Sequence, residues 1–367
     1  AINSKKYIEK QIESLKESNP REFYKRIKRI GQRIGEEQST PLNIPKYVQQ
    51  NLTPYECANN LAEYFSSISQ EYHPINVNNL PERVRDKINS VEDHKNIPIV
   101  NAAQVYKKFL SRKFKTSMVD GDIHPVLKRE FGPEVAAPAA DIFNCITRTG
   151  VYPRQWVRET VTPVPKTDEV ESEDDVRNIS LTANLSKDYE KFLIEWLEPY
   201  IGPRIDPGQF GGRSGLSITQ YMVLLLNFIL SNTDTSPVPR AVILALCDYS
   251  KGFNRIDHSR VIIRLSDWGV PGWLLKILTS YLTGRSMVLK YKGALSSPQP
   301  LPGGTVQGSE LGILLFIVEH SDAGMDIPAQ PSDEKDIFSI SQPSPAVTNK
   351  ECRLKYIDDQ TQGEVVK

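Results

Sequence analysis

Two acidic positions, far apart in the chain, have the types and surroundings to do chemistry. Asp248 ends the unbroken apolar run Ala241-Val242-Ile243-Leu244-Ala245-Leu246-Cys247, and a bulky aromatic, Phe253, follows five residues later. Near the C-terminal end, Cys352-Arg353-Leu354-Lys355-Tyr356-Ile357-Asp358-Asp359 places two adjacent carboxylates after a short strand-like segment. An acid at the end of a strand is well placed to hold a divalent ion at a sheet edge, because hard cations such as Mg²⁺ take oxygen ligands. A lone Asp there equally caps the turn or helix that follows; it is the second acidic stretch that favours the metal. Between the two lies Pro302-Gly303-Gly304-Thr305-Val306-Gln307-Gly308-Ser309-Glu310-Leu311-Gly312. Its small residues let backbone approach a ligand closely.

The elements that must carry these residues follow from pattern. The run before Asp248 is too short for a capped buried helix and is rich in β-branched residues, which predicts a strand buried on both faces. Asp358 and Asp359 cannot point the same way within a continuous strand, since side chains alternate, so a tight turn is expected over 356–360. Residues 157–166 alternate like a strand and end at Lys166; an acidic, turn-rich loop, 167–175, leads to a second strand at Arg177-Asn178-Ile179-Ser180-Leu181-Thr182. Helices are predicted over 102–110, from Pro125, over 135–149 with Gly150 as its stop, and over 185–197, 219–230, 258–268 and 272–282. A strand at 287–291 turns at Lys292-Gly293. Residues 209–215 read as a flexible glycine loop and 232–239 as a proline-bearing link.

Upstream, 1–38 is charged with helical period, broken at Asn19-Pro20 into two helices, the second rich in Lys and Arg. That basic face suits either solvent or a nucleic-acid backbone. A linker over 36–48 precedes a helix started by Thr53-Pro54, and 74–96 reads as irregular and polar. Residues 112–117 form a small basic patch, and Asp120-Gly121-Asp122 a turn. The mixture of strands and helices makes the fold class α+β.

Composition sets bounds. Lys plus Arg number 45 against 45 Asp plus Glu, so nucleic-acid binding has to come from local patches and not from global charge. Four scattered Cys, without a C-x-x-C spacing, fit neither a zinc site nor a disulfide scaffold and point to a reducing, intracellular setting. No apolar run reaches membrane-spanning length.

Taken in order, the three stretches read D-x4-F, QGS-x-LG and Y-x-DD, and resemble the palm motifs of reverse transcriptases. The wording DYSKGFNRIDH is similar to the non-LTR (LINE-type) retrotransposon polymerases, and the likeness extends upstream through Arg177 to Thr182 and Gln209-Phe210-Gly211. The resemblance implies a right-hand polymerase with helices on an antiparallel palm sheet. Its regions would be an N-terminal helical extension with linker (1–95), fingers (96–235) and palm (236–367). It implies RNA-directed DNA synthesis with an RNA template, a DNA primer and dNTP substrates. Two Mg²⁺ ions, with Mn²⁺ as an alternative, would be held by Asp248, Asp358 and Asp359. Asp248 and Asp358 would bridge the two ions and approach each other from adjacent strands. Lys166 and Arg177 would face the triphosphate, Phe253 would exclude a 2′-hydroxyl, and Gln307 and Gly308 would support the nucleotide and template base. Tyr356 and Ile357 would complete the nucleotide site.

Several positions depart from the family pattern: Asn178 and Asn254 replace a usual Pro and Asp, and Val306 and Ile313 replace prolines. Residues 329–347, rich in Pro, Ser and Asp, read as a loop insertion. Ala1 in place of Met, and Lys367 shortly after Asp359, suggest a fragment that stops before a thumb. Two other readings share these residues. An RNA-dependent RNA polymerase would favour an acid near the sugar and G-DD, against Phe253 and Tyr356-Ile357-Asp358-Asp359. A non-catalytic retroelement remnant would keep the fold and bind nucleic acid without extending a primer.

Overall fold

The computed structural model describes residues 4–31, 42–90, 97–111, 119, 122–233, 241–322, 351–356 and 359–366. The basic patch 112–117, Asp120, Gly121, Ile357, Asp358 and the stretch 329–347 lie outside them. Asn19 separates α1 (Ser4–Ser18) from α2 (Pro20–Gly31), its Oδ1 accepting from the Glu22 amide while Pro20 opens the second helix without needing a donor. Arg26, one of the basic residues of α2, is taken up by Glu22 and by Glu134 at 2.9 Å and lies over the Phe131 ring.

The short α3 (Pro45–Gln49) leads to α4 (Pro54–Ser67), which starts on a reciprocal capping box between Thr53 and Glu56. Residues 74–96, read as irregular from sequence, contain α5 (Glu82–Asn89). It is a two-turn helix whose Val84 and Ile88, four apart, enter the core. So short an apolar spacing is not distinguishable from loop until the partner surface exists. Next come α6 (Ala102–Ser111), α7 (Pro125–Glu130) and α8 (Gly132–Thr149), the last closed by Gly150 at φ 71°.

Then β1 (Arg158–Pro165) and β2 (Val176–Leu181) form a hairpin, followed by α9 (Asn184–Ile201), α10 (Ile218–Thr233) and β3 (Ala241–Asp248). The chain continues through α11 (His258–Asp267), α12 (Gly272–Leu282), β4 (Ser286–Tyr291), β5 (Ala294–Leu295), β6 (Gln299–Pro300), α13 (Glu310–Glu319), β7 (Glu351–Tyr356) and β8 (Asp359–Val366).

Two sheets result, not one. The first runs β2-β1-β4-β5 with β6 also on β4, and β1 pairs β4 in parallel, so it is mixed. Val161, Val176, Met287, Leu289 and Tyr291 from this sheet pack against Tyr47, Cys57, Leu61 and Phe65, so the N-terminal helices cover it. The second is antiparallel, β3-β8-β7. The main core lies among α8, α9, α11, α12 and α13, around Phe143, Tyr189, Leu193, Leu278 and Phe316, all buried.

Two sequence expectations are corrected here. The strand β3, expected to be buried on both faces, is largely exposed, with Ile243 at 59% and Leu246 at 79%. Its Leu244 reaches the small cluster of Phe210, Tyr221, Leu225 and Leu354 under α10. Among the described residues nothing covers the opposite face, because this sheet has three strands and one helix layer. Residues 209–215, expected to be a flexible loop, begin with buried Gln209 and Phe210. Phe210 N donates to Lys355 O and Lys355 N donates to Gly208 O, both at 2.8 Å, so this loop is tied to β7. Among the described residues no helix is long and apolar enough to cross a membrane.

Candidate active site

The antiparallel register sets the acids. Across β3 and β8, Ala241 opposes Val366 and the pairing runs without interruption to Asp248 opposite Asp359. Across β7 and β8, Tyr356 opposes Asp359, so the connection between these strands is two residues, Ile357 and Asp358. Both residues lie outside the described set, and with them the expected approach of Asp248 to Asp358. The strand β7 is held from behind: Lys355 Nζ lies 2.9 Å from Asp206 Oδ2, and both side chains are buried. Tyr356, half-buried, meets Tyr221 edge-on at 6.2 Å. Among the described residues no three His, Cys, Asp or Glu side chains are grouped so that they could hold a metal ion. The donor set expected from sequence, Asp248, Asp358 and Asp359, is all carboxylate, the chemistry that a hard divalent cation takes.

Beyond Asp248 the backbone turns sharply through Lys251 at φ 57° and the one-turn helix Gly252–Asn254. A Cβ on Gly252 would lie 2.9 Å from Phe316 Cε2 and 3.0 Å from Tyr249 Cβ, so only glycine lets the turn sit this close to α13. The Phe253 ring stacks on Phe316 at 4.9 Å, with Phe316 stacked in turn on His320.

The glycine-rich loop is sewn to this turn. Gly304 N donates to Ile256 O at 2.9 Å and Thr305 N to Phe253 O at 2.8 Å. Gly304 is at φ +83°, and its missing Cβ would fall 3.0 Å from the backbone of Phe253 and Asn254. At the far end of the loop, Ser180 N donates to Gln307 O, and exposed Gly308 has φ +111°. Ser309 caps α13, its Oγ accepting from Gly312 N and donating to buried Glu190, whose other oxygen accepts from Ser186. Burial pushes the Glu190 carboxyl up, against the lowering effect of the Ser309 bond and of Arg285.

His258 is a further tie. Its Nε2 lies 2.7 Å from Gly304 O and so carries the ring proton, while Nδ1 is buried without a partner among the described residues. Burial pushes the imidazole down from 6.5 to about 4, outweighing the raising effect of the Gly304 bond. The folded state therefore holds neutral His258. The stability this contributes is fully present above pH 6.5 and is lost as pH falls toward 4, because the unfolded chain takes up the proton first. The expected loss over that window is about 3 kcal/mol. Denaturant melts of wild type and His258→Gln between pH 4 and 7 check it: the variant should have the shallower acid limb.

Part of this assembly lines one cleft of about 330 Å³, whose lining includes neither Gly308 nor Tyr356. Asp248, Phe253 and Gln307 enter it from the segments just described, and Lys166 and Arg177 from the β1–β2 hairpin. Val164 opposes Arg177, so Lys166, two residues on, lies diagonally across the hairpin from Arg177. Both are exposed at the mouth. Residues not singled out from sequence also line the cleft: Tyr64 from α4, Asp174 from the hairpin loop, Tyr249 and Lys251. Lys251 lies three positions after Asp248, inside the motif stretch, which is a signal of sorts; Tyr64 carries none, because it lies far upstream on the apolar side of an N-terminal helix.

Comparison with known proteins bears on what such a cleft is. Residues 164–361, more than half of the chain, match the family described as "Reverse transcriptase (RNA-dependent DNA polymerase)". The chain is 30% identical over 184 residues to the "Probable RNA-directed DNA polymerase from transposon BS" of Drosophila melanogaster, covering 49% of this chain and 20% of that protein. It is 26% identical over 200 residues to the "RNA-directed DNA polymerase from mobile element jockey" of the same fly, covering 54% and 21%. The "Probable RNA-directed DNA polymerase from transposon X-element" matches at 27% over 184 residues, covering 49% and 20%. The chain thus spans about a fifth of the length of these relatives. The matched span begins on β1 and ends on β8, taking in the hairpin cations, the turn after Asp248, the glycine loop and the paired acidic strands. On that extent of match, the chain belongs to the reverse transcriptase (RNA-dependent DNA polymerase) family.

Proposed function

We propose that this chain carries the nucleotidyl-transfer centre of an RNA-directed DNA polymerase of a non-LTR retroelement, adding deoxynucleotides to a DNA primer 3′-hydroxyl on an RNA template. The observation that carries this reading is the single cleft shared by Asp248, Phe253, Gln307, Lys166 and Arg177. Asp248, Asp358 and Asp359 would hold Mg²⁺, two ions in this reading. Bound there, such ions activate an attacking hydroxyl and stabilise the leaving pyrophosphate. The chain's own groups do the rest. Lys166 and Arg177 take the triphosphate from the mouth, with Arg offering two parallel donors and Lys a point charge. Phe253 packs beside the sugar, and the bonded loop at Gln307 and Gly308 holds a floor for base and template. In this reading 1–95 is the helical extension, 96–235 the fingers and 236–367 the palm.

Incorporation of dTTP on an oligo(dT) primer annealed to poly(rA) tests the proposal. Arg177→Ala and Lys166→Ala should each raise the KM for dTTP about tenfold, as expected for loss of one charge-assisted contact. The maximal rate should change much less. Absence of template-dependent incorporation, or an unchanged KM in both variants, would overturn the reading.

A further inference from the structure

The cleft holds a third cation, and a carboxylate stands against it. Lys251 Nζ lies 2.8 Å from Asp174 Oδ1 and donates to Tyr64 Oη at 2.7 Å, while the Tyr64 hydroxyl donates to the same Asp174 oxygen. Lys166, from the other side, donates to the Asp174 carbonyl. Two of the three cations lining the cleft therefore converge on one residue, whose carboxylate presents the same kind of anionic oxygen as a phosphate. The pair is asymmetric: the Lys251 side chain is 30% exposed and that of Asp174 65%, so the cation is set into the cleft and the anion at its rim.

We propose that Lys251 is a third triphosphate-binding residue and that a nucleoside triphosphate binds by exchanging the Asp174 carboxylate on it for a phosphate oxygen. The proposal rests on reading the cleft as the nucleotide site. Three features of the fold suit an exchange. Asp174 lies in the loop that joins β1 to β2, between Lys166 and Arg177, so displacement by a phosphate moves the hairpin tip that carries the other two cations. An exposed ion pair is weak and yields readily to a multivalent anion. The neighbouring acid, Glu173, is already engaged by Lys46 and by the Tyr47 hydroxyl, so Asp174 can leave without freeing a second carboxylate. Lys251 itself has a second partner in Tyr64, its ammonium donating to the hydroxyl and lying over the ring at 4.9 Å. It therefore stays in place when its partner goes.

Equilibrium titration of the full chain with inorganic tripolyphosphate separates the possibilities without requiring catalysis. Wild type should bind, and Arg177→Ala should bind more weakly, which tests the site itself. Lys251→Met should weaken binding severalfold, since the exchange returns the difference between a phosphate and a carboxylate partner. Lys251→Arg should recover most of it, and thermal melts would establish that both variants fold. Asp174→Asn should tighten binding severalfold in the wild-type background and have no effect beside Lys251→Met, since the two changes act on one exchange. Unchanged binding by Lys251→Met, with Arg177→Ala still weakened, overturns the exchange and leaves the nucleotide site standing. So does weaker binding by Asp174→Asn. If wild type itself binds no tripolyphosphate, the reading of the cleft falls and the exchange falls with it.

Discussion

Asp248→Ala is expected to lower nucleotide incorporation by about a thousandfold or more while leaving the chain folded, since in the proposed function it deletes a metal ligand from a centre that supplies several kcal/mol of charge stabilisation. The side chain stands exposed at the end of β3, so its loss opens no cavity. The backbone ladder that pairs Asp248 with Asp359 persists whichever side chain stands there. In the proposed function Asp358→Ala deletes another ligand of the same centre and should lower incorporation comparably. The measurement is single-turnover incorporation in Mg²⁺, alongside a thermal melt of each variant. Near-normal Mg²⁺-dependent activity in either variant, with the melt unchanged, means that the acids have been misassigned.

The second large effect concerns the sugar. One face of the Phe253 ring is stacked on Phe316 and the residue also lines the cleft five positions after Asp248, so it is part core and part wall. A phenyl surface beside the sugar offers no partner for a 2′-hydroxyl and fills the space one would need. Excluding one small polar group in this way is worth about 2 to 4 kcal/mol, so Phe253→Val should shift the preference for deoxyribonucleotide over ribonucleotide by about two orders of magnitude. The same substitution should destabilise the chain by about 1 to 2 kcal/mol, because the Phe316 face loses its stacking partner. Stability and total activity are therefore poor readouts, and the ratio of the two nucleotide types on one template is the informative one. An unchanged ratio with a lowered melting temperature would make Phe253 a core residue only.

The candidate site stretches were legible from the amino-acid sequence because their residue types are constrained locally. Carboxylates at strand ends, an aromatic at a set distance and a run of small residues are all short-range patterns, and the helix stops at Asn19-Pro20 and Gly150 are similarly local. The tight turn expected over 356–360 rested on a local fact, that adjacent side chains in a strand face opposite ways, while its length of two residues came from the pairing of β7 with β8.

Other features depended on which surfaces meet. The run from Ala241 to Cys247 records that β3 is apolar, but not that α10 covers one of its faces and nothing described covers the other. The parallel pairing of β1 with β4 joins segments more than a hundred residues apart, and neither strand's pattern names its partner. Val84 and Ile88 became a helical face only against the core that receives them. The contact of Tyr64 with Lys251 and Asp174 brings an N-terminal helix, the turn after β3 and a hairpin loop to one point. Periodicity encodes the tendency of a segment to bury a face, whereas the identity of the neighbour is settled by the packing of the whole chain. The candidate acids, Lys166 and Arg177 could therefore be named from sequence alone, while the addition of Tyr64, Asp174 and Lys251 to the cleft that holds Asp248 required the tertiary structure.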